Sequence, residues 1–371
     1  MKIKDIDLVN ISRFRGEHMG MAMFFIILFH VFLPRTDDFF GLRRMGNLGV
    51  DMFLFLSGVG LWFSWAKVKI ESFSDFRKAY ISFYKRRLSR IYPAWIIIAC
   101  LFYIPHDLFP DVGDVSPVTK FYASLFTNSY SLPTLDGVIE ALGDILINWD
   151  FWLNDEGTFW YIPATMMLYL FAPPYMELIR RHPIYHWLVI VMVMWCVLVQ
   201  YVTPIHHAVG HIEIFWSRVP IFFLGINMGE AVRKKQSLDG QSIWMIWIMF
   251  GMTLSTSIWL EQEMHGRFPL FLERMLYIPL TVTTIILLNR VFRRTPSWVN
   301  KPIAWVGSIS LEAYLIHIEF VLKPIETYHL GYWPTFLLTV AITLPLAYVL
   351  HRAINGPLPA SPRGGNKATK G

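Results

Sequence analysis

The sequence predicts an all-α fold, a polytopic membrane helix bundle of about ten transmembrane helices with both termini cytoplasmic. Three observations carry that expectation. Of 371 residues, 54% are hydrophobic and only 16% charged, whereas a soluble domain carries roughly 25% charged residues. The apolar residues gather in stretches near the length that crosses a bilayer core. The 33 Lys and Arg concentrate in alternate connections between those stretches, as the positive-inside rule requires.

The ten stretches cover about 19–33, 48–66, 91–105, 158–178, 186–202, 214–230, 243–260, 272–290, 302–322 and 333–353. The first and third are short, and extension back to Ile11 and on to Phe109 would complete them. The opening MKIKDIDLVNISRFR is polar and no small-residue cleavage site follows, so the first span is expected to stay as an anchor. With the N-terminus in the cytoplasm, most Lys and Arg fall inside: Lys2 to Arg15, Lys67 to Arg90, Arg180 and Arg181, Arg233 to Lys235, Arg290 to Lys301, and those from Arg352 onward. The net charge of +6 therefore orients the chain instead of forming a patch for nucleic acid, and membrane lipid is the expected surrounding.

Residues 1–355 read as one membrane domain, and 356–371, rich in Gly, Pro and Lys, as a flexible cytoplasmic tail. The longest connection, about 106–157, falls outside and sets nine acids, Asp107 through Glu156, against Lys120. Within it, 118–130 has helical apolar spacing, and NWDFWLNDEG from Asn148 sets aromatics beside acids, as in an interfacial cap. Cys100 and Cys196 lie in apolar runs and read as small core hydrophobes.

Charges inside the spans ask for a reason, since each costs roughly 2.5–3.5 kcal/mol at mid-bilayer. They are His30, Asp51, Arg218, Glu312, His317 and Glu319. His30 follows an apolar run without Ser or Thr, and an inward neutral imidazole there can take a proton from a hydroxyl and later return it. Arg15 lies fifteen residues earlier, about 22 Å along a helix and roughly 60° round, at the cytoplasmic mouth. In KRRLSRIYP, Arg87 and Arg90 stand three apart at a helix start, beside Lys85 and Arg86. Such a fork suits phosphates, and equally serves as a positive-inside anchor.

The other candidates have two readings each. Asp51 either orients His30 or binds a substrate hydroxyl, or else pairs with Arg43 or Arg44. Trp160 and Tyr161, with Pro163, start the fourth helix, where aromatics either stack a sugar or form the usual interfacial belt. Glu312, Tyr314 and His317 span less than two turns and suit a structural hydrogen-bond network. With Arg218, the residues Trp160, Tyr161, Glu312 and His317 form the expected substrate-binding set. His207 and His211 have a metal-like spacing, but Pro204 and Gly210 suggest a loop and no ExxH context accompanies them, so no metal is expected.

Six segments in order resemble the membrane acyltransferase-3 family of ten-helix O-acyltransferases. They are RGEHMGMAMFFIILFH (15–30), NLGVDMFLFLSG (47–58), KRRLSRIYP (85–93), TFWYIPATMMLYLFAP (158–173), SRVPIFFLGINMG (217–229) and GSISLEAYLIH (307–317). The resemblance implies transfer of an acyl group, usually acetyl, from cytoplasmic acetyl-CoA or another acyl-CoA to a carbohydrate hydroxyl at the cell surface. The setting would be a bacterial inner or plasma membrane. His30 would be the catalytic histidine, Arg15 its partner, and Arg87 with Arg90 the RxxR pair near the donor's phosphates. Fourteen residues separate Arg15 from His30 where the family often has ten, and Met19 stands at the usual Arg position; Arg13 and Arg218 are the alternatives. The competing reading is a transporter, for which paired repeats with broken helices would be expected.

Overall fold

The computed structural model describes residues 6–108, 134–154 and 157–356. The helix expected over 118–130 and the tail from 357 onward lie outside the described residues. We label the principal helices α1 (Arg15–His30), α2 (Leu48–Trp65), α3 (Phe73–Leu108), α4 (Tyr161–Arg181), α5 (Leu188–Tyr201), α6 (Val219–Arg233), α7 (Ser242–Glu263), α8 (Leu270–Arg294), α9 (Ser297–Ser308), α10 (Ser310–Glu326) and α11 (Tyr332–Asn355). Shorter helices join them. The described strands are a two-residue antiparallel pair, Ile6 with Leu238 and Asp7 with Ser237.

Among the described residues, six helices are long and apolar enough to cross a membrane: Phe40–Trp65, which contains α2, then α3, Pro183–Tyr201, α7, α8 and α11. Two further pairs meet the test only as bent units, Thr203–Trp216 with α6 at 45° and α9 with α10 at 62°, which raises the count to eight. The protein is thus a helical, multi-pass membrane protein. The 16-residue α1 and the Tyr- and Pro-rich α4 fall outside that set.

Three boundaries differ from those expected, each for a local reason. Helix α3 begins at Phe73, well before the third apolar stretch. Ser72 and Asp75 form a reciprocal cap, Asp75 N–H donating to Ser72 Oγ at 3.2 Å and Ser72 N–H to Asp75 Oδ2 at 3.1 Å. No Gly or Pro follows until Pro93, so Arg87 and Arg90 lie in mid-helix and not at a helix start. Pro204 opens a helix, Thr203–Val209, where a loop was expected, because a first-turn proline lacks only an N–H that has no intrahelical partner there. The ninth stretch is broken at Ile309 and its second half relaxes into a π-helix over His317–Leu322.

Helix α1 is clamped between α2 and α9 by backbone contacts that admit no side chain. A Cβ on Gly20 would collide with the Ile303 carbonyl, one on Gly307 with the Gly16 carbonyl, and one on Gly49 with the Ala22 carbonyl. The same device joins α2 to α6 through Gly58 and Gly225. Gly20→Ala is therefore expected to lower thermal stability, the backbone collision costing about 1–3 kcal/mol and outweighing the gain in helix propensity. The control is Gly251→Ala in α7, where a Cβ meets nothing within 4 Å; it should be neutral or raise the melting temperature. Equal melting shifts for both variants would refute the clamp.

Candidate functional site

The two ends of α1 carry the two halves of the site. Arg15 is its first residue and His30 its last. Over fifteen residues they stand about 22 Å apart.

At the His30 end, the π-helix brings His317 against the ring. His317 Nε2 lies 3.2 Å from His30 Nδ1, and the ring centroids are 5.0 Å apart. The partners fix the tautomers. His317 Nδ1 is 2.7 Å from the Tyr314 carbonyl and must donate to it, which leaves its Nε2 with a lone pair. His30 Nδ1 is 2.8 Å from the Ile26 carbonyl, so it too carries a proton, shared between that oxygen and His317 Nε2. His30 Nε2 is then the basic atom, on a side chain that is only partly buried, while His317 is fully buried. The wide turn begins at His317 itself, and such turns are frequent at functional sites. Beside it, buried Glu319 accepts a short hydrogen bond from Thr158 and lies 2.7 Å from Lys323 Nζ.

At the Arg15 end, a cavity of about 360 Å³ is lined by Arg15, Arg87 and Arg90, with Tyr161, Tyr169 and Tyr314 on its walls. Among the described residues, no Asp or Glu lines it. Arg87 is held by aromatic faces, its guanidinium 5.4 Å from the Phe83 ring and 5.8 Å from Tyr169. Tyr169 OH shares a hydrogen bond with Ser57 at 2.9 Å. The Nε atoms of Arg15 and Arg87 are buried without a hydrogen-bond partner. Three guanidinium groups, two of them with an unmet Nε donor, and no carboxylate among the described lining residues make a receptor for an anion.

Tyr314 joins the halves. It lines the cavity, and its carbonyl accepts from His317. Its ring lies 5.2 Å from Tyr161 and its hydroxyl donates to the Thr158 carbonyl at 3.1 Å. His30 does not itself line the cavity.

The remaining expected residues separate into three places. Asp51 faces Arg218 at 3.6 Å, both buried, and does not pair with His30, Arg43 or Arg44. Arg218 donates to Asn47 at 2.9 Å and lies 4.9 Å over the Trp160 ring. Arg44 is taken by Glu261 at 2.9 Å, and Arg43 donates to the Val31 carbonyl. Glu312 pairs with His351 of α11 at 2.8 Å, not with His317, because five residues of helix turn the two away from each other. Lys85 and Arg86 leave the arginine cavity: Lys85 borders a separate open groove with Ser89 and Tyr92, and Arg86 donates to Ser82.

His206 and His211 each bond a backbone carbonyl, of Val199 and Trp152 respectively. Among the described residues, no group of three His, Cys, Asp or Glu is arranged to hold a metal.

A helical multi-pass membrane protein with an anion-receiving cavity at one end of a helix and a paired histidine at the other has the parts of a membrane group-transfer enzyme. The chain belongs to the membrane acyltransferase-3 family: the family's profile, described as an acyltransferase domain, matches residues 20–352. That span includes His30, Arg87, Arg90 and His317, and begins five residues after Arg15. No curated protein and no solved structure matches the chain. It is a membrane acyltransferase, taking an acyl donor and an acceptor.

Proposed function

We propose that this protein is an O-acyltransferase of a bacterial plasma membrane, with ten spans and both termini cytoplasmic. It moves an acyl group, in the first instance acetyl, from cytoplasmic acyl-CoA to a hydroxyl of a cell-surface carbohydrate or glycolipid. The observation that carries this reading is the acid-free cavity in which Arg15, Arg87 and Arg90 converge, opposite His30 on the same helix. The donor's phosphates sit among the three arginines, and its thioester arm runs past Tyr161 and Tyr314 toward His30. His30 Nε2 takes the proton of the acceptor hydroxyl as the oxygen attacks the thioester carbonyl carbon. The carbon–sulfur bond then breaks, and the imidazolium returns the proton to the departing thiolate. His317, accepting from Nδ1–H, steadies the imidazolium as it forms. Trp160 and Arg218 approach the acceptor side.

The test is thioester turnover by the purified chain with acetyl-CoA and with S-acetylpantetheine, which lacks the nucleotide phosphates. A charged hydrogen bond contributes about 1.5–3 kcal/mol. Arg87→Ala is accordingly expected to raise KM for acetyl-CoA by roughly 10- to 100-fold and leave kcat near wild type, with KM for S-acetylpantetheine unchanged. An unchanged KM for acetyl-CoA would remove the donor from this cavity.

A further inference from the structure

A second cavity lies on the other side of α1. Its volume is about 540 Å³, and its wall is almost wholly apolar, built from Phe25 and Leu28 of α1, Leu254 of α7, Leu280 of α8 and Trp333 of α11. Phe39, Leu42 and Trp333 on its rim are exposed, so in a membrane it opens to lipid. Most of the bundle's surface is apolar for the same reason, and an apolar groove alone says nothing of what fills it.

The polar groups at its end do. Arg43 and Asp37 are the charged lining residues. Asp37 is engaged, its Oδ1 accepting from the Phe39 N–H at 2.9 Å. Arg43 keeps a buried Nε without a partner, while its Nη1 donates to the Val31 carbonyl at 2.7 Å. Two aromatic faces, Phe29 and Phe40, flank its guanidinium at 5.8 and 5.2 Å. The groove thus ends in a cation with an unmet donor, bonded to the residue that follows His30. Phe25 and Leu28 face the groove, and His30, two residues beyond Leu28, points to the opposite side of α1. Because α1 ends at His30 and Val31 is extended, the way from groove to His30 passes over the helix end, beside Arg43.

We propose that this groove holds the tail of a lipid-linked acceptor, a single-chain lipid phosphate whose phosphate meets Arg43 and whose head group turns over the end of α1 to His30. This names the acceptor class and rests on the reading of His30 as the base. The distribution of charge separates it from the donor's site, where three arginines gather at the far end of α1. The acceptor end offers one unmet guanidinium donor beside an apolar slot, which suits a lipid phosphate more than a nucleotide.

The experiment is photolabelling of the full chain in detergent with a polyprenyl phosphate carrying a diazirine in its tail. The label is expected in peptides holding Leu28, Leu254 or Trp333. Unlabelled polyprenyl phosphate should compete at least tenfold better than the neutral polyprenol or phosphatidylglycerol. Leu254→Trp should remove the label, and Arg43→Gln should abolish the preference for phosphate over polyprenol. Label spread over other helices, or equal competition by all three lipids on the unaltered chain, would overturn the proposal without recourse to any variant. Release of CoA from acetyl-CoA with a polyprenyl-phosphate-linked glycoside, measured on the same preparation and on His30→Ala, reports on the His30 chemistry. Release without groove labelling overturns the lipid site only; labelling without release overturns the catalytic reading, leaves the groove as a lipid phosphate site, and removes its assignment to an acceptor.

Discussion

Acyl transfer by His30→Ala is expected to fall by about 10²- to 10⁴-fold in kcat, the range that a positioned general base supplies. KM for the donor should stay close to wild type, because the arginine cavity stands about 22 Å away at the other end of α1. The hydrogen-bond pattern makes the prediction specific to one atom. With both Nδ1 atoms committed as donors, His30 Nε2 is the free lone pair. His317→Leu leaves that lone pair in place but removes one of the two acceptors for Nδ1–H, the Ile26 carbonyl remaining. It should lower kcat by a smaller factor, about tenfold, equivalent to roughly 1.4 kcal/mol, again without raising KM. A merely structural His317 would lower the amount of folded protein and leave kcat per folded molecule unchanged. Full transferase activity of His30→Ala in isolated membranes would end the assignment of His30 as base. Loss of activity with a matched rise in donor KM would place His30 in binding instead.

The membrane character, the helical class and the family were legible because they rest on local properties: long apolar runs, charge in alternate connections, and ordered short segments. The pairing of Arg87 with Arg90 was legible for the same reason, since helix periodicity puts positions 87 and 90 on one face; Arg15, read as the partner of His30, joins them instead, at the other end of α1 from His30. Lys85 and Arg86 were drawn into that cluster by proximity in sequence, yet the same periodicity turns them away, to another groove and to Ser82. The His30–His317 pair was not legible as a pair. Its members are 287 residues apart, and the π-turn that joins them leaves no mark in periodicity. Asp51 shows the limit most plainly. Sequence offered Arg43 and Arg44 as partners because they come just before it, whereas the fold sends Arg44 to Glu261 and supplies Arg218, the residue just before α6, through an approach that Gly58 and Gly225 permit. No motif or spacing marks Glu261 and Arg274, at the edges of apolar stretches. In the structure Glu261 is fully buried, gathering Arg44, His265 and Tyr277, and Arg274 lies 3.9 Å from Glu213.

Arg218→Met is expected to be the most destabilising single change at the site, by about 3–5 kcal/mol, because it leaves a buried carboxylate without its counter-charge. Asp51 and Arg218 are 5% and 2% exposed, and at 3.6 Å the pair attracts without a direct hydrogen bond. The cation is held chiefly by other groups: the Asn47 side chain, the Ile214 carbonyl and the Trp160 face. Removing Asp51 alone should therefore cost less than removing Arg218 alone, since Arg218 keeps those contacts while Asp51 keeps none of comparable strength. Combining Asp51→Leu with Arg218→Met removes both charges together, and buried pairs replaced by apolar groups often lose little stability. The double variant should regain most of the melting temperature that Arg218→Met loses. Activity then divides the two roles that Arg218 can have. If it serves only to hold α2 against α6, the double variant transfers acyl groups at a rate near wild type once folded. If, as proposed, Arg218 and the Trp160 face it covers meet the acceptor, the double variant is stable yet keeps a KM for the acceptor raised about 10-fold or more, a charged hydrogen bond contributing about 1.5–3 kcal/mol. A double variant as unstable as Arg218→Met would show that Arg218 acts through Asn47 and Trp160, not through Asp51, and the buried ion pair would then have no part in holding the two helices together.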